Sequence, residues 1–156
     1  MTRTIEVGKK VPAFSLMLDD GSKSTAATRT GQIIILYFYP RDDTPGCTKE
    51  AIAFTDNLAK FKRAGAMIIG VSRDSVEKHL KFKAKHKLKV ALGADEDGVV
   101  CEKFGVWVEK KNYGKTYMGI ERSTFLIDER GVVREIWRKV KVNGHADEVL
   151  AAVKAL

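Results

Sequence analysis

Three features of the sequence predict an α/β fold, a mixed central sheet flanked by helices with a β-hairpin at the N-terminal end. Residues 33–39 form a near-continuous apolar run, the pattern of a central strand covered on both faces. Residues 47–64 carry Ala51, Phe54, Leu58 and Phe61 in one stripe at helical spacing. Short apolar runs interrupted by acidic-glycine turns, Asp19-Asp20-Gly21 and Asp128-Glu129-Arg130-Gly131, mark a hairpin towards each end of the chain.

In chain order, residues 14–18 and 23–26 flank the first of these turns and form the N-terminal hairpin. The buried strand at 33–39 feeds the helix at 47–64, which stops at Gly65, a residue suited to a C-cap. Residues 67–71 make a second buried strand. Ser72-Arg73-Asp74-Ser75 then caps a helix running to about His86. A short strand at 91–93 and a short helix at 99–104 follow, separated by the turn Asp95-Glu96-Asp97-Gly98. Residues 123–127 and 132–140 pair around the second turn, and 145–156 close the chain as a helix with Asn143 near its start. Strand-helix-strand-helix followed by a hairpin and a helix is compatible with the thioredoxin architecture.

No repeat, linker or low-complexity tract divides the 156 residues, so residues 1–156 read as one domain. Hydrophobic content of 44% and charged content of 31% are ordinary for a globular chain. The longest apolar run is too short to cross a bilayer, and residues 1–6 hold no signal-peptide core, which predicts a cytoplasmic protein. A reducing compartment also suits its two cysteines, which are too few for a disulfide framework. The net charge of +8 concentrates in lysines at 78–89; no nucleic-acid-binding motif accompanies them, so they read as a solvated basic surface. His79, His86 and His145 meet no metal-ligand spacing and read as solvated.

The chemistry centres on Cys47. It follows Pro40-Arg41-Asp42-Asp43-Thr44-Pro45-Gly46, at the junction of the buried strand and the helix. In a first helical turn, unpaired backbone N–H groups and the helix dipole favour a thiolate over a thiol. Cys47 and Glu50 project onto the apolar stripe, so the sulfur points into a pocket. Glu50 there is either a solvated edge residue or the partner of an arginine.

Pro40-x3-Thr44-x2-Cys47, preceded by Phe38-Tyr39 and followed by Thr48 and Glu50, resembles the peroxidatic motif of peroxiredoxins. Phe104-Gly105-Val106-Trp107, Tyr113-Gly114-Lys115 and residues 119–128, Gly-Ile-Glu-Arg-Ser-Thr-Phe-Leu-Ile-Asp, extend the likeness to the peroxiredoxin Q, or bacterioferritin comigratory protein, subfamily. The resemblance implies a thioredoxin-like fold and a thiol peroxidase. Cys47 would attack a hydroperoxide and become a sulfenic acid. Thr44 would donate to the peroxide with the amides near Gly46 and Cys47, Arg122 would hold it in line, and Pro40 would shield the sulfur. No metal or organic cofactor is implied. On the residues alone, Thr44 could simply cap the helix, Pro40 end the strand, and Arg122 pair with an acid.

The sequence departs from much of that subfamily where the sulfur is reset. Many members carry a resolving cysteine five residues after the first, where this chain has Ile52, or on the following helix, here Phe82-Lys83-Ala84. Ile52 lies off the apolar stripe. Cys101 sits among apolar neighbours and reads as a buried inert thiol, with a resolving role as the alternative. The expectation is a one-cysteine, monomeric peroxidase served by an external thiol such as thioredoxin, glutaredoxin or glutathione. Two rivals are a thiol-disulfide oxidoreductase, which would want a second cysteine at Glu50, and a basic binding or chaperone protein.

Overall fold

The computed structural model describes residues 5–25 and 31–156. The predicted first hairpin is present: β1 (Ser15–Leu18) pairs antiparallel with β2 (Lys23–Thr25), and the Ala26 end of its second strand lies outside the described residues. β3 (Ile33–Phe38) is buried at all six positions, as its continuous apolar run requires. Two helices follow, α1 (Pro45–Asp56) and α2 (Leu58–Arg63). After them come β4 (Ala66–Ser72), α3 (Val76–His86), β5 (Ala91–Ala94) and α4 (Val99–Lys103). The chain continues through β6 (Trp107–Asn112), β7 (Lys115–Ile120), β8 (Ser123–Ile127), β9 (Val133–Arg138) and α5 (His145–Lys154).

Seven strands form one sheet in the order β2-β1-β5-β4-β3-β8-β9. β3, β4 and β5 run parallel, joined by helical crossovers, while β1, β2, β8 and β9 run antiparallel to their neighbours. This is a mixed, thioredoxin-like sheet. The alternation of β3 divides the core in two. Ile33, Ile35 and Tyr37 face Phe54, Phe61, Phe82 and Val149 from the helices, whereas Ile34, Leu36 and Phe38 face Phe14, Cys101, Phe104 and Phe125. Burying side chains of this size is worth roughly 1.5–3 kcal/mol each.

Two elements differ from the sequence reading. The single helix expected over residues 47–64 is broken at Asn57. Its side-chain Nδ2 donates to the Ala53 carbonyl at 2.8 Å, the acceptor a continuing helix would give to the Asn57 amide; that amide turns instead to Phe54 O at 3.2 Å. The second is the β6–β7 hairpin, a separate two-stranded ribbon for which the sequence pattern predicts no strands. Its turn holds Tyr113 at φ 50° and Gly114 at φ 76°, the positive pair a tight hairpin turn demands.

The cap of α3 is the one expected. Ser75 Oγ accepts from the Lys78 amide at 3.2 Å, and Lys83, Lys85 and His86 occupy the last turn, where the helix dipole favours cations.

Candidate active site

The loop after β3 crosses the carboxyl ends of two parallel strands, the edge where open α/β sheets place their ligand sites. Thr44 stands at the N-cap of α1 and Pro45 at its first position, where a missing N–H costs nothing. The first intrahelical bond runs from Thr48 N–H to Thr44 O at 2.8 Å, so the amides of Gly46 and Cys47 lie ahead of the ladder. Cys47 occupies the first turn and is 2% exposed. Its sulfur points into the body of the protein.

Arg122 reaches this sulfur from the junction of β7 and β8. Ser123 pairs with Phe38 at the end of β3, which sets Arg122 just past the strand that delivers the loop. Arg122 Nη2 donates to Cys47 Sγ at 3.4 Å and Nη1 donates to Glu50 Oε1 at 2.7 Å. One guanidinium thus bridges sulfur and carboxylate, 75 and 72 residues away along the chain. Gly46 allows the approach, since a Cβ there would stand 3.1 Å from Nη2.

Glu50 is 1% exposed and is the arginine's partner, not a solvated edge residue. Burial pushes its carboxyl up to about 7, against the charge and hydrogen bond of Arg122, which pull it down. Its Oε2 and the Tyr37 hydroxyl are buried without hydrogen-bond partners among the described residues. Burial, with the nearby Glu50 and Cys47, holds the Tyr37 phenol well above its ordinary range. The Tyr37 ring stacks on Phe54 at 4.7 Å and lies against Gly70, where a Cβ would come within 2.6 Å of it. The floor of the site is therefore packed aromatic surface.

Thr44 does not cap the helix with its side chain; its hydroxyl donates to Arg41 O at 2.9 Å and closes the loop on itself. A substrate that takes this proton must displace that bond. Pro40 is exposed and, with Thr44, Arg73, Trp107, Lys110 and Met118, lines a cleft of about 600 Å³ beside the loop. The Arg73 guanidinium lies 4.5 Å over the Trp107 ring. A cavity of about 670 Å³ between Ile33 and Leu156 holds no cysteine.

Cys101 does not join the site. It is fully buried in the layer on the opposite side of the sheet, and burial together with Asp95 pushes its thiol far above the ordinary thiol range. Ile52 is exposed, as its place off the apolar stripe predicted. Among the described residues, no group of three or more His, Cys, Asp or Glu side chains is placed to hold a metal.

The histidines correct the sequence reading. His79 is fully buried and His145 is 4% exposed, while His86 is partly covered and paired to Asp43 at 2.8 Å. The signal was the spacing of His79, Phe82 and His86, which sets His79 on the inward stripe of α3. His79 bonds Asp42, in the same loop as Thr44, at 2.6 Å. Sequence separation hid that contact.

A reactive sulfur in a first helical turn, contacted by a partly buried guanidinium on a thioredoxin-like sheet, defines a cysteine-dependent peroxidase. A sequence profile of the AhpC/TSA family matches residues 7–136. Peroxiredoxin Bcp of Bacillus subtilis is 52% identical over 151 residues, covering 97% of this chain and 96% of that one. Peroxiredoxin Bcp of Escherichia coli K12 is 42% identical over 96% of each chain. Among solved structures, Xanthomonas campestris peroxiredoxin Q superposes with a TM-score of 0.87 at 50% identity, over 91% of this chain and 90% of that one. A mutant of Xylella fastidiosa PrxQ reaches 0.91 at 41% identity, over 97% and 96%. The chain belongs to the AhpC/TSA family, within its peroxiredoxin Q (bacterioferritin comigratory protein) branch. It is a thiol-dependent peroxidase acting through Cys47.

Proposed function

We propose that the chain is a single-domain, monomeric, cytoplasmic peroxidase of the one-cysteine type, which reduces hydrogen peroxide and organic hydroperoxides and takes its reducing equivalents from an external thiol. The observation that carries the site assignment is the 3.4 Å contact between Arg122 Nη2 and Cys47 Sγ. A permanent cation in contact with sulfur stabilises the anionic nucleophile and faces the charge that develops on the departing oxygen. The thiolate attacks one peroxide oxygen, the O–O bond breaks, and sulfur gains an S–OH. The other oxygen leaves as alkoxide or hydroxide and takes a proton from solvent. Sulfur is oxidised and the peroxide reduced by the same two electrons.

Arg122 positions the peroxide, and Glu50 positions Arg122. Thr44 exchanges its bond to Arg41 O for one to the substrate. Gly46 leaves room for the guanidinium, and Pro40 shields one side of the sulfur. An external thiolate, from glutathione, glutaredoxin or thioredoxin, then attacks Cys47 and expels hydroxide, which takes a proton from solvent and leaves as water. A second thiol releases Cys47 and leaves a disulfide in the reductant. Cys101, across the sheet and held far from ionisation, takes no part.

The test is the intact mass of the reduced protein after one equivalent of hydrogen peroxide, with a sulfenic-acid trap in a parallel sample. One trapped adduct on Cys47, with Cys101 still free, is expected. Loss of two hydrogens with Cys47 joined to Cys101 would overturn the one-cysteine cycle.

A further inference from the structure

The loop that carries Thr44 and opens the Cys47 helix is held by a buried charged network that takes no part in the chemistry at sulfur. Asp42 is its centre. Its Oδ1 accepts from the Tyr39 hydroxyl at 2.5 Å, and its Oδ2 lies 2.6 Å from His79 Nδ1. Its amide donates to Asp74 Oδ2 at 2.8 Å, which also accepts from Ser72 Oγ at 2.7 Å. The other ring nitrogen of His79, Nε2, lies 2.9 Å from Gly93 O on β5. The His79 side chain is 0% exposed and that of Asp42 6%. The next residue, Asp43, stands at φ 58° and pairs with Lys85 and His86, both at 2.8 Å. Helix α3 therefore grips two successive loop residues.

The hydrogen bonds fix the protonation of His79. A carbonyl oxygen has no proton to give, and with Asp42 ionised its carboxylate has none either. Both ring nitrogens must donate, so the ring is an imidazolium. A buried ion pair is seldom a net source of stability, because desolvation offsets much of the attraction; what it supplies is a defined geometry.

We propose that His79 is a positioning residue of the peroxidase site: as a buried imidazolium it ties α3 and β5 to Asp42 and fixes the loop between the end of β3 and Cys47. This goes beyond the reaction cycle above and holds whichever thiol resets the sulfur. The groups facing the ring are Asp42 from the loop, Tyr39 from the end of β3, Asp74 after β4 and the Gly93 carbonyl from β5. Burial opposes the charge, but the bond and charge of Asp42, the Gly93 carbonyl and Asp74 outweigh it, and the pKa of His79 is raised. A neutral ring keeps one N–H and cannot serve both acceptors. The clamp is complete below the ordinary imidazole range and is lost as pH rises through the raised value.

The first test is the side-chain ¹⁵N spectrum of the reduced wild-type protein at pH 7.5, where an imidazole free in water is about nine-tenths neutral. Two protonated nitrogens on His79 are expected; one bare nitrogen would overturn the proposal without any variant. The second is single-turnover oxidation of Cys47 by hydrogen peroxide across pH, in wild type, His79→Gln and Asp42→Asn, each checked for fold by circular dichroism. At pH 7, His79→Gln should react about tenfold more slowly, at the low end of what misplacing a site costs. It should also lose the alkaline decline that tracks the His79 titration in wild type. In Asp42→Asn that titration should move to lower pH. A folded His79→Gln with the wild-type rate, or with a merely scaled copy of the wild-type pH profile, would overturn it. Failure of the peroxidase reading would look different, as wild-type Cys47 that hydrogen peroxide does not oxidise at any pH.

Discussion

Arg122 rests directly on Gly46: a Cβ on that glycine would meet Nη2 at 3.1 Å, closer than ordinary van der Waals contact. The guanidinium has little freedom to retreat, because its other nitrogen is held by Glu50 at 2.7 Å and its side chain is only 17% exposed.

Gly46→Ala should therefore displace Arg122 from the sulfur while leaving the helix intact. Alanine in place of glycine favours a helix by up to about 1 kcal/mol, so the melting temperature should hold or rise. The rate of Cys47 oxidation should fall about tenfold, in line with the cost of misplacing a charged group at a reacting centre. Stopped-flow oxidation beside a thermal melt separates the two effects. A stable variant with the wild-type rate would remove Gly46 from the account.

Glu50 makes stability depend on pH. Its folded value, about 7, lies above that of an unfolded glutamate, so the folded state binds the extra proton between the two. Stability should be greatest at acid pH and fall as pH rises towards 7, by about 3 kcal/mol in all. Urea denaturation of wild type and Glu50→Gln at several pH values checks this. The glutamine variant should lack this component of the slope, and identical slopes would contradict the assignment.

The parts of this molecule legible in the sequence are those written in local pattern. The continuous apolar run of β3 can only be a doubly covered strand, and the stripe through Phe54 and Phe61 fixes which face of the following helices is inward. That stripe also placed Cys47 and Glu50 inward before any contact was known. The break at Asn57 was not legible, because it turns on one side-chain amide taking a backbone acceptor. Nor was the β6–β7 ribbon, whose residues are largely half-buried or exposed on both faces and so carry no clean two-residue alternation. The Asp42–His79 contact spans 37 residues and joins two charged residues that composition assigns to the surface. Local pattern carried the strand, the helix face and the nucleophile, while the contacts that lock the loop depend on tertiary packing.

Cys101→Ala should leave the oxidation of Cys47 and its trapped sulfenic acid unchanged. The thiol is sealed in the core on the other side of the sheet, so its removal acts on packing alone. Loss of one buried sulfur should lower stability by about 1–2 kcal/mol, in the range of a small cavity. Peroxide consumption with an external thiol donor, measured beside a urea melt, distinguishes the two. A collapse of turnover at normal stability would make Cys101 the resolving thiol.

Arg122 tests how the charges of the site depend on one another. Lysine keeps the charge but has one nitrogen where Arg122 uses two, so Arg122→Lys cannot bond Glu50 and Cys47 with the same fork. It should slow Cys47 oxidation about a hundredfold, within the range for losing one preorganised donor. Arg122→Met removes the charge and leaves Glu50 buried beside an apolar chain. Loss of the guanidinium takes away the charge and the hydrogen bond that pull the Glu50 carboxyl down, so it should titrate higher still. At pH 5, where Glu50 is protonated in either protein, Arg122→Met should be nearly as stable as wild type. At pH 8, with wild-type Glu50 ionised and paired, the variant should be about 3 kcal/mol less stable, as expected when one partner of a buried pair is removed. Urea melts at the two pH values measure the difference directly. A penalty equal at both would mean that Arg122 acts through packing, and that its charge is not what makes the buried carboxylate tolerable.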